Sequence, residues 1–163
     1  MRRSHTIALA LAIALGAALA GSAQAATQPN TAALIAPIQG VLAAINHNTD
    51  YSRFLTSDAL IVDEFPPFVW HGPTAASAWH RDFNTVMHQA HLTYSNGVIS
   101  KPRFVIPVPR RAYVTVPTTV HYVDAKRKPQ TETGEWTFVL IRTPAGWKIS
   151  ADTWSKTSDT GSP

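Results

Sequence analysis

Two segments of the chain repeat apolar side chains with the spacing of an amphipathic α-helix. The first is "TAALIAPIQGVLAAINHNTD", residues 31–50, and the second is "GPTAASAWHRDFNTVMHQA", residues 72–90. Side chains three, four and seven residues apart share one face of a helix, so each segment predicts one buried stripe. The stripes are Leu34, Ile38, Val41, Leu42 and Ile45 in the first helix, and Ala75, Ala76, Trp79, Phe83, Val86, Met87 and Ala90 in the second.

Proline and capping residues indicate where these helices begin. Pro37 leaves two alternatives for the first helix: it begins near Ala36, or it is kinked at the proline. Asp50 has a side chain that can cap a short second helix, "YSRFL", at residues 51–55. Gly72 and Pro73 predict the start of the long helix.

The remaining pattern is that of strands. Residues 59–65, "ALIVDEF", predict a strand that ends at the Pro66-Pro67 pair, since proline cannot continue a ladder. After His91 the pattern is of strands and turns, with clear alternation at residues 112–124 and a final hairpin at 134–142 and 146–154. Pro117 predicts an edge or a bulge. This order predicts an α+β fold, in which a curved antiparallel sheet has the N-terminal helices packed over its concave face.

The first 25 residues have the composition of a secretory signal peptide. Arg2 and Arg3 precede an uncharged apolar run, and Ala23-Gln24-Ala25 is a small-x-small cleavage site. We expect cleavage after Ala25, a secreted or periplasmic protein, and no association with a membrane after that cleavage. Residues 26–32 are predicted to be a leader, 33–156 a single domain and 157–163 a disordered tail.

Composition narrows the function classes. The chain has no cysteine, so its stability depends on packing, and its formal net charge is only +4. The basic cluster at residues 126–128 lies between two predicted strands and is typical of a solvated turn, so we expect no nucleic-acid partner. No glycine-rich phosphate loop or nucleophile motif occurs, and His88 and His91 lack a third ligand at useful spacing. We therefore expect no cofactor and no metal site.

Two segments resemble a known family. "DALIVDEFPPFVWHGPTAASAWHRDF" (58–83) and "GEWTFVLIRTPAGWKISADTWSK" (134–156) resemble the NTF2-like superfamily, in its SnoaL-like or ketosteroid-isomerase-like bacterial branch. The resemblance covers residues 33–156 and implies a cone-shaped fold that hosts isomerases, dehydratases and binding modules. It places Asp63 at the position of the isomerases' general base. Val41 and Phe138 stand where those isomerases have hydrogen-bond donors, so steroid isomerisation is not implied.

Asp63 and His71 are the candidate catalytic residues. Asp63 shares a strand face with Ala59, Ile61 and Phe65, where a carboxyl either has a raised pKa and a chemical task or binds loop backbone. His71 is expected at the mouth of the cone. It is either an acid, base or ligand donor, or a loop histidine that fixes nearby backbone.

The five tryptophans suggest two surfaces. An aromatic cone predicts a ligand pocket that would be lined by Trp70, Trp79, Phe83, Trp136 and Phe138, although such rings can equally be core residues. Strict alternation along residues 146–154 puts Trp154 on the polar outer face of the sheet, beside Lys148, Ser150 and Asp152. The family resemblance implies a possible homodimer through the outer sheet face, a surface that Trp154 would form with Val139 and Ile141.

Two functional hypotheses remain open. In the first, an exported domain binds a small hydrophobic organic molecule, with or without acid–base chemistry of the isomerase or lyase type. In the second, the chain is a non-catalytic dimeric interaction module whose cone is filled by its own side chains. The second predicts no cavity of ligand size, which begins at about 300 Å³.

Overall fold

The computed structural model describes residues 30–160, and the predicted signal peptide lies outside them. The described residues form the helices α1 (Thr31–Asn46) and α2 (Ala75–Gln89) and a 3-10 helix at Ser52–Phe54. The strands are β1 (Leu55–Val62), β2 (Val69–His71), β3 (Thr93–Ile99), β4 (Phe104–Val108), β5 (Arg111–Val123), β6 (Pro129–Thr143) and β7 (Gly146–Thr160).

The seven strands form one curved sheet that is not closed into a barrel, and the two helices pack against it. The strand order is β2-β1-β7-β6-β5-β3, and β4 also pairs with β5. All pairs are antiparallel except β1 with β7, so the sheet is mixed where an antiparallel one was expected. Parallel strands need a long connection, and α2 together with β3 to β6 supplies it.

The core lies between the helices and the inner face of the sheet, which we define as the face that carries Trp136, Phe138 and Leu140. These three residues, with Ile149 of β7, are buried. The stripe predicted for α1 is buried with them, apart from the half-buried Ile45. The cluster of fully buried side chains comprises Phe138, Leu34, Ile38, Leu140, Ile149, Val41, Val114 and Val116.

The first helix begins six residues before its proline. The Asn30 side chain accepts a hydrogen bond from the Ala32 amide at 3.0 Å, which caps the helix at Thr31. Pro37 therefore lies inside α1, and the predicted start near Ala36 is wrong. Thr31 also falls within the segment predicted to be a leader, so the folded domain begins slightly earlier than expected.

Pro117 lies inside the sheet, where β5 changes partner. The first half of β5 pairs with β4 up to Thr115, and the second half pairs with β3 from Thr118 onward. The Pro117 carbonyl accepts from the Ser100 amide on that side, so the proline nitrogen also faces the gap between β3 and β4. Although proline has no N–H, the sheet loses no hydrogen bond at this gap. Pro117 therefore requires neither a free edge nor a bulge.

The short helix after Asp50 and the end of β7 differ from what the sequence predicted. Asp50 accepts a hydrogen bond from the Ser52 amide at 3.1 Å, but Tyr51 and not Asp50 is the N-cap residue, and the helix is a single 3-10 turn because β1 begins at Leu55. Strand β7 continues to Thr160 and so includes four residues of the segment predicted to be a disordered tail. Within residues 30–160, no helix is long and apolar enough to cross a membrane.

Candidate functional site

A small cavity lies between the helices and the inner face of the sheet. Its volume is about 90 Å³. Half of its fourteen lining residues are aromatic, and three are acidic. The acidic residues are Asp63, Glu64 and Glu132, and the aromatic residues are Phe65, Trp79, Phe83, Tyr94, Tyr122, Trp136 and Trp154. We call this space the inner cavity.

Asp63 stands at the end of β1 and contributes its carboxyl to the cavity wall. Its Oδ2 accepts a hydrogen bond from the Trp79 indole at 2.8 Å, and its Oδ1 accepts one from the Glu64 amide at 2.7 Å. Burial raises the pKa of Asp63 to about 6, although both hydrogen bonds act in the opposite direction. The carboxyl can therefore exchange a proton near neutral pH.

Glu132 is a second carboxyl in the cavity wall, and sequence reasoning missed it. Its Oε1 accepts from the Trp154 indole at 3.1 Å, and its Oε2 lies 3.8 Å from the Lys156 ammonium. Burial, followed by the charge of Glu64, raises the pKa of Glu132 to about 7. Lys156 also lies 3.6 Å from Glu64, so it bridges the two glutamates.

Asp152 is a third carboxyl, buried behind the cavity on β7. It is 8% exposed, and its Oδ1 accepts from the Trp136 indole at 2.9 Å. Burial raises the pKa of Asp152 to about 7, and the charge of Asp63 adds to this effect. Burial also raises the pKa of the nearby Tyr51 hydroxyl, and the charges of Asp152 and Asp63 raise it further.

Asp63, Glu132 and Asp152 have the same kind of partner. In each carboxyl, one oxygen accepts a hydrogen bond from a tryptophan N–H. Indole is a donor without charge, so it supplies a hydrogen bond but does not neutralise a carboxylate. Because Asp63 and Asp152 have no salt bridge among the described residues, burial decides their protonation. The site therefore holds several carboxyls that are poised to gain or lose a proton, next to apolar surface.

A bulge in β7 explains why sequence reasoning missed Asp152. Val139 pairs with Ala151, but the next residue of β6, Leu140, pairs with Ile149, so Ser150 is an extra residue. A bulge reverses the alternation of side chains along a strand. Ile149, Asp152 and Trp154 consequently all face inward, whereas strict alternation separates Ile149 from the other two.

The same bulge corrects the predicted place of Trp154. Trp154 pairs with Trp136 across the strands and lines the inner cavity, so it is not on the outer face and cannot belong to the predicted dimer surface. Gly134 makes room for it. A Cβ at Gly134 would lie 2.6 Å from the Trp154 ring and from the Ser155 carbonyl oxygen, and both distances are too short.

The structure places three of the five residues predicted to line a ligand pocket at the inner cavity. Trp79, Phe83 and Trp136 line the inner cavity, and the Trp79 and Phe83 rings stack with centroids 5.0 Å apart. Trp70 and Phe138 are core residues instead. Phe138 is fully buried behind Trp136, while Trp70 packs on Phe65 and donates to Asp82 at 2.8 Å.

His71 does not contribute to the cavity wall. It is exposed at the end of β2, where its neighbour Trp70 takes the inward position. His71 pairs with Leu60, whereas the inward Trp70 pairs with Ile61, and side chains alternate along a strand, so His71 points away from Asp63. A catalytic partnership with Asp63 is therefore ruled out by direction.

Within residues 30–160, no group of three or more histidine, cysteine or acidic side chains is arranged to hold a metal ion. His88 and His91 are both exposed near the end of α2.

Comparisons with known proteins identify the fold. No protein-family model matches the sequence, and no curated protein matches it. A ketosteroid isomerase-like protein from Erwinia carotovora atroseptica SCRI1043 is 16% identical, with a TM-score of 0.64 over 78% of this chain and 95% of the other. An NTF2-like protein with a cystatin-like fold from Novosphingobium aromaticivorans is 11% identical, with a TM-score of 0.64 over 78% and 82%.

A third solved structure, a hexachlorocyclohexane dehydrochlorinase, is 15% identical, with a TM-score of 0.62 over 80% of this chain and 89% of the other. The chain has the NTF2-like α+β cone fold, as the sequence predicted. Identities this low show the fold alone, so the function has to be argued from the site.

Proposed function

We propose that this domain binds a small organic molecule, with the apolar end of the molecule, its head, in the inner cavity, and that it uses Asp63 as an acid–base group. The observation that carries the proposal is a carboxyl with a pKa of about 6 in an aromatic wall, held by the Trp79 indole. A general base works best when its pKa lies near the operating pH, and such shifts cluster at functional sites.

Glu132, the other carboxyl with a raised pKa in the cavity wall, supplies a complementary proton donor. Burial and the charge of Glu64 raise its pKa to about 7, so a fraction of this group is protonated at neutral pH. Groups whose environments separate their pKa values can divide the roles of base and acid. This division suits the removal of a proton at one atom and the delivery of a proton either to a second atom, as in isomerase chemistry, or to a leaving group whose bond breaks, as in lyase chemistry.

A paired substitution tests the proposal. Asp82 accepts an indole hydrogen bond from Trp70 just as Asp63 does from Trp79, but Asp82 does not line the inner cavity. In native mass spectrometry of protein purified from an exporting host, Asp63→Asn should lose a retained small molecule while Asp82→Asn keeps it. Both variants should melt within a few degrees of the wild type. Retention by Asp63→Asn would contradict the proposal.

Export is part of the proposal. Arg2, Arg3, the apolar run and the Ala23-Gln24-Ala25 site support a cleaved signal peptide and a secreted or periplasmic location. The intact mass of protein recovered from the periplasm or medium of an expressing bacterium should correspond to a chain that begins at Ala26. A cytoplasmic, full-length product would contradict this location.

The alternative, a non-catalytic dimeric module, has a specific observation in its favour. The outer face of β4, β5 and β6 carries five exposed apolar side chains, and the strand register places Ile106, Tyr113 and Val139 in one row. Ile141, which the sequence analysis predicts to belong to the dimer surface, lies two positions beyond Val139 on β6. We call this surface the outer patch: Phe104, Ile106, Val108, Tyr113 and Val139.

The small volume of the inner cavity also favours the alternative, because it is below the range of about 300–1,000 Å³ typical of ligand pockets. Sedimentation velocity separates the two functions. If the outer patch joins two copies, Ile106→Lys should give monomers, while Val98→Lys, a matched change of an exposed apolar residue on β3, should not. A wild-type monomer would end the dimer proposal.

A further inference from the structure

A second space lies on the other side of the inner-cavity wall. It has a volume of about 360 Å³ and lies between the end of α1, the exposed side of α2 and the start of β3. This volume falls in the range of ligand pockets, about 300–1,000 Å³, whereas the inner cavity does not. We call this space the outer cleft, and its polar lining includes Asn48, His80, Asn84, His88, Thr93 and Ser95.

The outer cleft and the inner cavity share a wall of three side chains. Ile45, Phe83 and Tyr94 line both spaces. The Phe83 ring meets the edge of Tyr94 with centroids 5.7 Å apart, and the Tyr94 hydroxyl donates to the Asn46 side chain. Because the two spaces share these side chains, they are adjacent, and a molecule that occupies both must displace part of this wall.

Among residues 30–160, no aspartate, glutamate, lysine or arginine lines the outer cleft, so this lining carries no fixed charge. Its polar groups are amides, imidazoles and hydroxyls. His80, Asn84 and His88 recur every four residues along α2 and so follow one side of the helix. The His80 ring nitrogen is held 2.6 Å from the Asn48 amide oxygen.

Several of these groups are available to a ligand. Nothing in residues 30–160 hydrogen-bonds to the side chains of Asn84, His88 and Ser95, which are exposed at the cleft. Amide, imidazole and hydroxyl groups both donate and accept, and so they match hydroxyl groups, which also do both. An anion would find no cation here to balance its desolvation.

We propose that the outer cleft binds the neutral, hydroxyl-rich part of a ligand whose apolar head occupies the inner cavity. This inference rests on the proposed function, because it assumes that the inner cavity receives the head. The ligand class is an amphipathic molecule such as an aryl glycoside, with the sugar against Asn84, His88 and Ser95. The rings of Phe83 and Tyr94 offer apolar surface to the C–H face of the sugar.

Three related probes test both parts of the inference. Phenol represents the head, phenyl β-D-glucoside adds a neutral sugar, and phenyl β-D-glucuronide adds an anionic one. Amide chemical shifts in ¹⁵N-labelled protein report binding at the inner cavity through Phe65 and Tyr122, and at the outer cleft through Asn84 and Ser95. Phenol should shift the first pair only, and the glucoside should shift both.

The affinities of the three probes provide a second, quantitative test. The glucoside should bind at least about tenfold tighter than phenol and about threefold or more tighter than the glucuronide. Asn84→Ala should weaken glucoside binding about three- to tenfold, which corresponds to one lost hydrogen bond, and leave phenol binding unchanged. Gln89→Ala, an exposed change on the same helix outside the cleft, should affect neither ligand.

The outcomes separate the two proposals. If phenol shifts the inner pair but the glucoside binds no better, or if Asn84→Ala leaves its affinity unchanged, the outer-cleft inference is wrong and the proposed function stands. Tighter binding of the glucuronide overturns the neutral ligand class. If no probe shifts the inner pair at up to about 10 mM, both the proposed function and the inference are contradicted.

Discussion

Asp63 and Asp82 accept the same hydrogen bond in two different environments. Each carboxylate binds a tryptophan indole at 2.8 Å, Asp63 from Trp79 and Asp82 from Trp70. The indole bond and the adjacent Arg81 lower the pKa of Asp82, which lies outside the cavity. Burial raises the pKa of Asp63 to about 6 despite the bond. Desolvation, and not the hydrogen-bond partner, therefore determines which carboxyl can do acid–base chemistry here.

The largest expected effect is on activity. Once a ligand or substrate is identified, Asp63→Asn should lower kcat/KM at least about hundredfold, because a positioned general base contributes about 10²- to 10⁴-fold. Asp82→Asn should change it less than about twofold. Steady-state kinetics of the two variants measure the change in kcat/KM. Equal losses in both would show that the buried environment of Asp63 gives it no special catalytic role.

The next effect is the dependence of stability on pH. Asp152 has a pKa of about 7 in the folded protein and an ordinary value of 3.8 in the unfolded chain, so between about pH 4 and 7 the folded protein holds a proton that the unfolded chain has lost. The free energy of unfolding therefore falls as the pH rises through this window. Asp63 and Glu132 act in the same direction.

Asp152→Asn removes this contribution. The variant should be close to the wild type at pH 4 and more stable by roughly 2–4 kcal/mol at pH 8, where the buried carboxylate of the wild type is charged. Urea unfolding at both pH values measures the change. Asp82 gives the opposite sign, because its lowered pKa stabilises the fold only above the unfolded pKa and this contribution is lost as the pH falls. A flat wild-type profile from pH 4 to 8 would contradict the burial argument.

The indole bonds themselves provide a third comparison. Trp79→Phe removes the donor to Asp63 while keeping an aromatic ring, and it should cost about 1–3 kcal/mol and raise the pKa of Asp63 further. Trp70→Phe should raise the pKa of Asp82 as well, but that carboxyl stays in the acidic range because water can solvate it. Carboxyl ¹³C titrations of both variants provide the measurement. A fall in the pKa of Asp63 would show that the bond does not favour its ionised form.

Gly134→Ala tests the close approach that brings Trp154 into the cavity. The added methyl group would overlap the Trp154 ring, so we expect a loss of about 1–3 kcal/mol and a shift in tryptophan fluorescence. Gly146→Ala is the matched control, because no atom of the described part of the chain lies within 4 Å of its Cβ position. It should cost stability through its positive φ of 112° alone and leave the fluorescence unchanged. Identical spectra for Gly134→Ala and the wild type would mean that the ring does not lie against the glycine.

The smallest effect is expected at His71. Because its side chain is exposed and faces away from the cavity, His71→Ala should change stability by less than about 0.5 kcal/mol and leave ligand binding unchanged. Calorimetric titration of the variant with phenol checks this expectation, and a loss of affinity comparable to that of Asp63→Asn would place the histidine in the site.

Much of the fold could be predicted from spacing alone. The apolar stripe of α2 and the alternation along β5 follow from elementary periodicity, and the resemblance of residues 58–83 and 134–156 supplied the cone. Asp63 was identified because it interrupts an apolar strand at a position that the family uses. Trp79 and Phe83 lie four residues apart on α2. Residues at this spacing share one face of a helix, so both rings could be predicted to face the cavity.

The rest of the site depends on features without a local sequence signal. Asp152 and Trp154 were assigned to the wrong face because a single bulged residue, Ser150, reverses the alternation of β7. Glu132 lies near a turn in the sequence, and its burial follows from tertiary packing, where Trp154 and Lys156 of β7 contact it. Trp70 and Phe138 have the composition of pocket residues, but the depth of an aromatic side chain within a cone is a property of packing.

The role of burial at Asp63 is tested most directly by its pKa, measured by ¹³C NMR of its carboxyl with Asp82 as the internal reference. We expect a midpoint near pH 6 for Asp63 and one below the ordinary value of 3.8 for Asp82. Titration of both carboxyls together, at or below the ordinary value, would contradict the claim that burial prepares Asp63 for chemistry.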